Sequence, residues 1–161
     1  SLEKSEKDIS ENIMIVDLVR NDLSITAKRN SVKVEELCKV FTFNNINQMI
    51  STVTSEISQN LSFDKIISST FPMGSMTGAP KIRSMQLIDK FEDFNRGIYS
   101  GTIGYIDSKN NFDFNVVIRT IIYDQKDFNL SFSVGSAITS ESDPSKEYDE
   151  CIEKLKSVFV F

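Results

Sequence analysis

The stretch SEKDISENIMIVDLVRNDL, residues 5–23, predicts the first helix of the chain, and the fold prediction starts from it. Ser5 and Asp8 resemble the start of a capping box, and Ile9 and Ile13 belong to a helical repeat of apolar residues. With the Met, Ile and Leu residues between them, the helix is apolar on nearly every side. Because such a helix is normally buried, we expect this one to be buried as well.

The same helix carries charged side chains that burial would penalise, among them Glu11, Asp17, Arg20 and Asp22. Their desolvation must be offset by a partner of opposite charge or by a metal ion. For Glu11, structural pairing with a cation and coordination of a metal ion are both open at this point.

The segments that follow this helix predict a mixture of helix and strand. Residues 24–45 combine polar turns with short apolar pieces. Residues 47–57 alternate as a strand would, and residues 63–70 predict a short helix. A loop then leads into a helix of about four turns, in which Pro80 fits only in the first turn.

The remainder of the chain is rich in β-branched and aromatic residues between positions 98 and 138. Turns at residues 108–111 and 124–129 separate three such runs, which predicts an antiparallel meander. Asp143 is predicted to cap a final helix that has Pro144 at its first position.

The loop GSMTG, residues 74–78, leads into a helix and therefore offers backbone N–H groups and a positive helix end to an anion. It is not a Walker loop, because the GxxxxGK[ST] pattern is absent. The alternative is a plain loop in which Thr77 caps a helix and Lys81 is solvated.

Glu147, Glu150 and Lys154 lie at positions i, i+3 and i+7 of the final predicted helix, so that all three project from one side. Two carboxylates there suit Mg²⁺, and the lysine one turn further suits an anionic substrate. The alternative is a solvated surface pair of Glu150 with Lys154.

Alternation in the run before residue 120 places Asn115, Val117 and Arg119 on one face of a strand, so that Arg119 is predicted to point inward. A buried guanidinium requires a carboxylate, which a structural Asp or a substrate can supply. Both alternatives are open.

The composition limits the classes of function. The formal net charge is −5, with 18 Lys and Arg against 23 Asp and Glu and no basic cluster, which argues against a nucleic-acid partner. The chain has no His, so that Ser-His catalysis and His-based zinc sites are excluded within it. Cys38 and Cys151 form no CxxC pair, and we expect free thiols in a reducing, cytoplasmic compartment, with no membrane span.

Five blocks in order resemble the chorismate-binding enzymes. Residues 8–23 resemble their KDRAEN-MIVDL-RNDL block, residues 71–81 their FPGGSITGAPK loop, and residues 101–105 their G-x-IGY motif. Residues 117–120 resemble their IRT motif, and residues 134–150 their Gly-rich strand end followed by DSDPxxEYxE. The resemblance extends over nearly the whole chain.

This resemblance implies an α/β (α+β) fold of the anthranilate-synthase type, with antiparallel sheets flanked by helices and the active site between two large sheets. Residues 1–161 would form the C-terminal portion of a single chorismate-binding domain. The resemblance also implies that Glu11, Glu147 and Glu150 bind Mg²⁺ and that Lys154 receives a carboxylate of chorismate.

Further substrate-binding residues are implied in the same way. Tyr105 and Arg119 match residues that hold the enolpyruvyl side chain of chorismate, and Gly135 and Ala137 match the strand end that faces the substrate. The loop residues that would close beneath the ring are Thr77, Gly78 and Ala79.

The sequence departs from the family pattern at several positions. Ile9 replaces an Arg, Glu141 an Asp, and Ser136-Ala137 a Gly-Gly pair that is frequent in the family, while Gln48 lies near a position where many relatives have His. The contexts of Ser136-Ala137 and Gln48 resemble the aminodeoxychorismate synthase branch, which takes ammonia from a glutamine amidotransferase. Anthranilate synthase, and a non-catalytic docking module of the same fold, are the alternatives.

The PI[K/A]GT block of the family, with the nucleophilic lysine of the aminodeoxychorismate synthases, is not present in these 161 residues, nor is the expected general acid. We therefore expect no catalytic nucleophile in this chain and no complete reaction from the chain alone.

Overall fold

The structure is a computed structural model that describes residues 5–43, 47–58, 60–156 and 158. The chain divides into two compact units, Ser1–Asp93 and Phe94–Phe161. Each unit is described by itself.

The first unit opens with helix α1, Glu6–Ser24, and its predicted start is confirmed. Ser5 is the N-cap, and its side-chain oxygen accepts a hydrogen bond from the backbone N–H of Asp8 at 3.3 Å. The predicted burial on all sides is wrong, because only Val16 and Asp22 of this helix are buried while Ile13 is 41% exposed.

A two-stranded antiparallel hairpin follows, formed by β1, Lys33–Thr42, and β2, Asn47–Thr54. The strand predicted within residues 47–57 is confirmed, whereas β1 was not predicted. The pairing register of β1 shifts between Glu36 and Lys39, and Cys38 between them has a φ of 51°. This bulge breaks the strict alternation by which a strand is recognised in a sequence.

Three helices complete the first unit: α2, Phe63–Thr70, α3, Gly74–Thr77, and α4, Lys81–Phe91. Helix α2 is confirmed, and α3 is a single turn within the predicted loop. Pro80 occupies the N-cap position of α4, one residue before the first turn in which it was predicted.

The second unit contains two separate antiparallel hairpins and one helix. The elements are β3, Thr102–Ile106, β4, Phe112–Val116, β5, Ile121–Asp124, β6, Asn129–Phe132, and α5, Pro144–Lys156. Both predicted hairpin turns are confirmed by the pairing of β3 with β4 and of β5 with β6. The continuous meander is wrong, because β4 ends at Val116 and the chain bends at Arg119, whose φ is 48°.

The start of α5 agrees with the prediction, since Asp143 Oδ1 accepts hydrogen bonds from the backbone N–H groups of Ser145 and Lys146 at 3.0 and 3.1 Å. Among the described residues, Val16, Met49 and Val117 are the buried hydrophobic side chains. Cys38 and Cys151 are free thiols, as predicted. No described helix is both long and apolar enough to cross a bilayer.

Candidate functional site

In the second unit, helix α5 and the segment that follows β6 bring several predicted site residues together. The strand end predicted at residues 134–138 is wrong, because β6 ends at Phe132 and residues 133–140 form no strand. Lys154 Nζ donates a hydrogen bond to the carbonyl oxygen of Gly135 at 2.9 Å and lies 2.6 Å from Glu150 Oε1. The predicted pair of Glu150 with Lys154 is therefore present. The same lysine also joins the helix to residue 135, which the helical spacing did not predict.

Glu147 lies one turn before Glu150 and is 6% exposed. Its Oε2 accepts a hydrogen bond from the hydroxyl of Ser136, a residue 11 positions earlier. Because a buried carboxylate is costly without hydrogen-bond donors, Ser136 compensates part of the desolvation of Glu147. Ser136 stands where the family often has Gly, and this departure is the sequence signal that could have identified it as a site residue.

The segment after β6 comes close to Tyr99 at Gly135. A Cβ atom at this position would lie 2.7 Å from the hydroxyl oxygen of Tyr99, so a larger residue would displace that ring. Ala137 is exposed, and its carbonyl oxygen accepts a hydrogen bond from Ser142 Oγ at 3.4 Å. The backbone at 135–137 is thus held from both sides.

Tyr105 and Arg119 also belong to the second unit. Tyr105 lies on β3 with 64% of its surface exposed. Arg119 is exposed at the bend that follows β4, so its predicted inward orientation is wrong, because the strand alternation stops at Val116. Their contacts with a substrate stay predictions.

The first unit carries Glu11 and the loop. The Glu11 side chain is 29% exposed, and its Oε1 lies 4.0 Å from Lys7 Nζ one turn earlier on α1. Of the two alternatives for Glu11, this distance supports structural pairing with a cation, here Lys7. An ion pair of this length is weak.

The loop residues predicted to lie beneath the substrate ring form a defined turn. Thr77 Oγ1 donates to the carbonyl oxygen of Met73 at 3.2 Å, within α3, so that Thr77 does not cap the following helix. Gly78 ends α3 with a φ of 125°, which a residue with a side chain rarely adopts. Ala79 lines an open groove of about 530 Å³ together with Ser10, Ile13, Met14, Asp17 and Leu18 of α1.

Lys81, the first residue of α4, is not solvated as one alternative predicted. Its Nζ lies 2.5 Å from Asp22 Oδ2, and the two side chains are 17% and 10% exposed. The charged residues of the first helix thus find different partners, since Asp17 pairs with Arg20 at 2.9 Å on the exposed surface. The free-energy cost of burying Asp22 indicated in advance that this carboxylate needs a partner of opposite charge. The sequence did not show that the partner is Lys81.

Asn12, the neighbour of Glu11, joins α1 to the hairpin. Its Oδ1 accepts a hydrogen bond from Ser51 Oγ and lies 3.5 Å from Cys38 Sγ. Ser51 Oγ in turn accepts from the backbone N–H of Cys38 at 2.8 Å, at the bulge of β1. This network fixes the turn of α1 that carries Glu11.

The predicted Mg²⁺ ligands are divided between the two units, Glu11 in the first and Glu147 with Glu150 in the second. Within either unit, no three Cys, Asp or Glu side chains of the described residues form a metal-binding group. The donors at 147 and 150 are carboxylate oxygens on successive turns of one helix, which is the ligand type that Mg²⁺ prefers. Glu147 and Glu150 therefore offer the type of ligand that Mg²⁺ prefers.

Helix α1 packs against the hairpin β1–β2, and the second unit combines two antiparallel hairpins with helix α5, which together define a mixed α/β protein. Residues 1–160 match the family described as chorismate binding enzyme. The chain belongs to this family.

Three similar proteins illustrate the family. The chain is 43% identical over 156 residues, 97% of its length, to a probable chloroplastic aminodeoxychorismate synthase of Oryza sativa subsp. japonica. It is 37% identical over 153 residues, 95% of its length, to anthranilate synthase component 1 of Aquifex aeolicus (strain VF5). The crystal structure of anthranilate synthase component I from Streptococcus pneumoniae TIGR4 superimposes on 98% of the chain with a TM-score of 0.86 and 34% identity.

The predicted anthranilate-synthase-type fold is confirmed by this superposition. The chain spans 17% of the rice protein, 31% of the Aquifex protein and 36% of the Streptococcus chain. It thus corresponds to about a third or less of these relatives' lengths.

Proposed function

We propose that this chain is part of an aminodeoxychorismate synthase, component I, which converts chorismate and ammonia to 4-amino-4-deoxychorismate for para-aminobenzoate and folate synthesis. Support comes from the family match and from the relatives named aminodeoxychorismate synthase, which are 38–43% identical over nearly the whole chain. The ammonia would come from a glutamine amidotransferase subunit or domain, in the cytoplasm.

The single observation that carries this function is the cluster on α5, where Lys154 bridges Gly135 and Glu150. Chorismate carries two carboxylates, and a protein with a net charge of −5 must concentrate positive charge where it binds a dianion. Lys154 supplies one such charge beside Gly135 and Glu150, and Glu150 is one of the carboxylates that would hold the metal ion.

The roles of the other residues follow from the resemblance. Glu11, Glu147 and Glu150 would hold Mg²⁺, and Tyr105 and Arg119 would bind the enolpyruvyl side chain. Gly135 and Ala137 would face the substrate, with Thr77, Gly78 and Ala79 beneath the ring. When bound, Mg²⁺ supplies positive charge that neutralises a substrate carboxylate and favours loss of the C4 hydroxyl. The chain's own residues would orient chorismate for attack at C2.

Product identification tests the proposed reaction. The complete protein is incubated with chorismate, ammonium and Mg²⁺, and the product is identified by chromatography with mass spectrometry. We expect 4-amino-4-deoxychorismate. Formation of anthranilate with release of pyruvate would instead establish the second candidate, anthranilate synthase, which the Aquifex and Streptococcus relatives favour.

The metal assignment is tested on helix α5. Glu147→Gln and Glu150→Gln in the complete protein are each expected to raise the Mg²⁺ concentration needed for half-maximal activity by roughly tenfold or more. Glu153→Gln, on the same helix with its carboxylate 2.8 Å from Lys156, is the matched control and should leave it within about twofold. An unchanged Mg²⁺ requirement in Glu150→Gln would remove Glu150 from the site.

The third hypothesis, a non-catalytic docking module, is tested by calorimetry of the complete protein with Mg²⁺ and chorismate. An enzyme of this family should bind Mg²⁺ and chorismate cooperatively, whereas a docking module should show no coupled binding.

We also propose that these 161 residues do not complete the reaction alone, because none of them matches the nucleophilic lysine of the family. Product formed by this chain alone from chorismate and ammonia would overturn that proposal.

A further inference from the structure

The buried ion pair of Lys81 with Asp22 has no role in the binding scheme above, and it joins two segments that the scheme treats separately. Asp22 lies in the last turn of α1, and Lys81 follows directly after the loop Phe71–Pro80. The two residues are 59 positions apart, and their charged atoms lie 2.5 Å from each other.

Both side chains are largely withdrawn from solvent, at 17% and 10% exposure, in a unit where few described residues are buried. Another ion pair of α1, Asp17 with Arg20, is 67% and 54% exposed. A surface pair of that kind contributes little, whereas removing one partner of a buried pair leaves the other charge without compensation. The Lys81–Asp22 pair is therefore the contact of this region whose loss has the larger effect.

Two backbone hydrogen bonds within the loop give it a defined turn. The backbone N–H of Gly78 donates to the carbonyl oxygen of Gly74 at 3.0 Å, and that of Met76 donates to Met73 at 3.0 Å. A Cβ on Gly78 would lie 2.9 Å from Ser84 Oγ, so the loop also fits closely against α4. A turn fixed internally moves as one body, and its place on α1 depends on its anchors.

Two anchors on α1 are visible. Gly74 is buried against Leu18, where an added Cβ would lie 2.9 Å from Leu18 Cδ1. Asp22 is one helical turn beyond Leu18, at i+4, and receives Lys81 from the other end of the loop. Leu18 also lines the groove of about 530 Å³ that α1 shares with Ala79. The anchors thus hold the loop at both ends along one face of the helix.

We propose that the Lys81–Asp22 pair is a positioning element that holds the loop Phe71–Pro80 on α1 and so sets the place of Thr77, Gly78 and Ala79. This inference rests on the proposed function only where it concerns the substrate. Without the pair, the contact of Gly74 with Leu18 still holds the start of the loop, and the end of the loop can pivot about it away from the position in which it would meet a substrate ring.

The first arm of the test uses the complete protein without ligand and is independent of the proposed function. Lys81→Met is expected to speed hydrogen exchange of the loop amides between residues 73 and 78 by at least about tenfold, with little change in the hairpin β1–β2. The control is Lys28→Met, which removes the lysine of an exposed pair with Glu56 in the same unit. Lys81→Arg keeps the charge and should restore most of the protection.

The second arm measures kinetics with chorismate. Lys81→Met is expected to raise KM by roughly tenfold while kcat falls less than about threefold, because the loop contributes to binding and not to bond breaking. Asp22→Asn should give the same pattern, and the double variant should be no worse than either single variant. If Lys81→Met does not fold, judged by circular dichroism, Asp22→Asn carries both arms.

The outcomes separate the two ideas. Faster loop exchange in a protein that does not bind chorismate would refute the proposed function and keep the positioning role. A fall in melting temperature with loop exchange no faster than in Lys28→Met would make the pair a purely structural bridge and overturn the inference. Equal exchange in Lys81→Met and Lys81→Arg would overturn it as well.

Discussion

The hydroxyl of Ser136 donates a hydrogen bond to Oε2 of Glu147, joining the segment after β6 to the buried side of helix α5. Glu147 is a predicted metal ligand and is 6% exposed. A glycine at position 136 could not make this contact, so the orientation of Glu147 depends on the side chain of Ser136. We infer that this chain uses Ser136 to fix the rotamer of Glu147.

Replacing Ser136 with Ala should therefore weaken Mg²⁺ binding. The loss of a hydrogen bond to a charged group corresponds to about 1.5–3 kcal/mol, and since some of this is recovered by solvent we expect a roughly three- to tenfold weaker Kd for Mg²⁺. The measurement is calorimetric titration of the complete protein with Mg²⁺. Ser145→Ala, an exposed serine in the first turn of α5, is the control, and an equal effect of both substitutions would contradict the role of Ser136.

Lys154→Met should weaken chorismate binding roughly ten- to hundredfold, because a charge-assisted hydrogen bond to a carboxylate contributes about 1.5–3 kcal/mol. The matched control is Lys156→Met, which removes the exposed lysine that pairs with Glu153 at 2.8 Å on the same helix. Affinity is measured by fluorescence or calorimetric titration. Similar losses in the two variants would show that general positive charge, and not the position of Lys154, is responsible.

Asp143→Ala should lower the free energy of unfolding by about 1 kcal/mol, because it removes the acceptor of two backbone N–H groups at the start of α5. Urea denaturation followed by circular dichroism measures the change. Asp149→Ala, an exposed position inside the same helix, should change stability by less than about 0.5 kcal/mol. No difference between the two variants would rule out the capping role.

The turn between β3 and β4 gives a prediction about pH. The side chain of Asn111, and then its backbone N–H, donate to Asp107 and lower the pKa of that carboxyl below its ordinary value. The pKa of Asp107 is lower in the folded state than in the unfolded state, so the stabilisation that these hydrogen bonds give the fold is fully present above the unfolded-state pKa. It is lost as the pH falls through the folded pKa.

Asn111→Ala removes the largest of these causes, so the pKa of Asp107 should rise toward its ordinary value. The measurement is an NMR titration of the side-chain carboxyl carbon. Gln125→Ala, in the exposed turn between β5 and β6, is the control and should leave the titration of Asp107 unchanged. A titration of Asp107 that Asn111→Ala does not alter would remove Asn111 as the cause.

Much of the local structure was predicted correctly because its causes lie within a few residues. Ser5 and Asp143 cap helices through backbone groups two or three positions away, and the turns at 108–111 and 124–129 form hairpins by local pairing. Strand β1 was missed because the bulge at Cys38 interrupts its alternation. The direction of Arg119 was predicted wrongly because the strand ends three residues before it.

The sequence by itself determined the helix caps, the hairpin turns, the family and the positions of Glu147, Glu150 and Lys154 on one side of a helix. Only the tertiary structure decided which partners the buried charges find: Lys81 for Asp22, 59 positions away, and Ser136 for Glu147. The physical reason is that helix and turn formation depends on neighbours within about four residues. The compensation of a buried charge, by contrast, depends on which elements pack against it, and spacing along the chain does not contain that information.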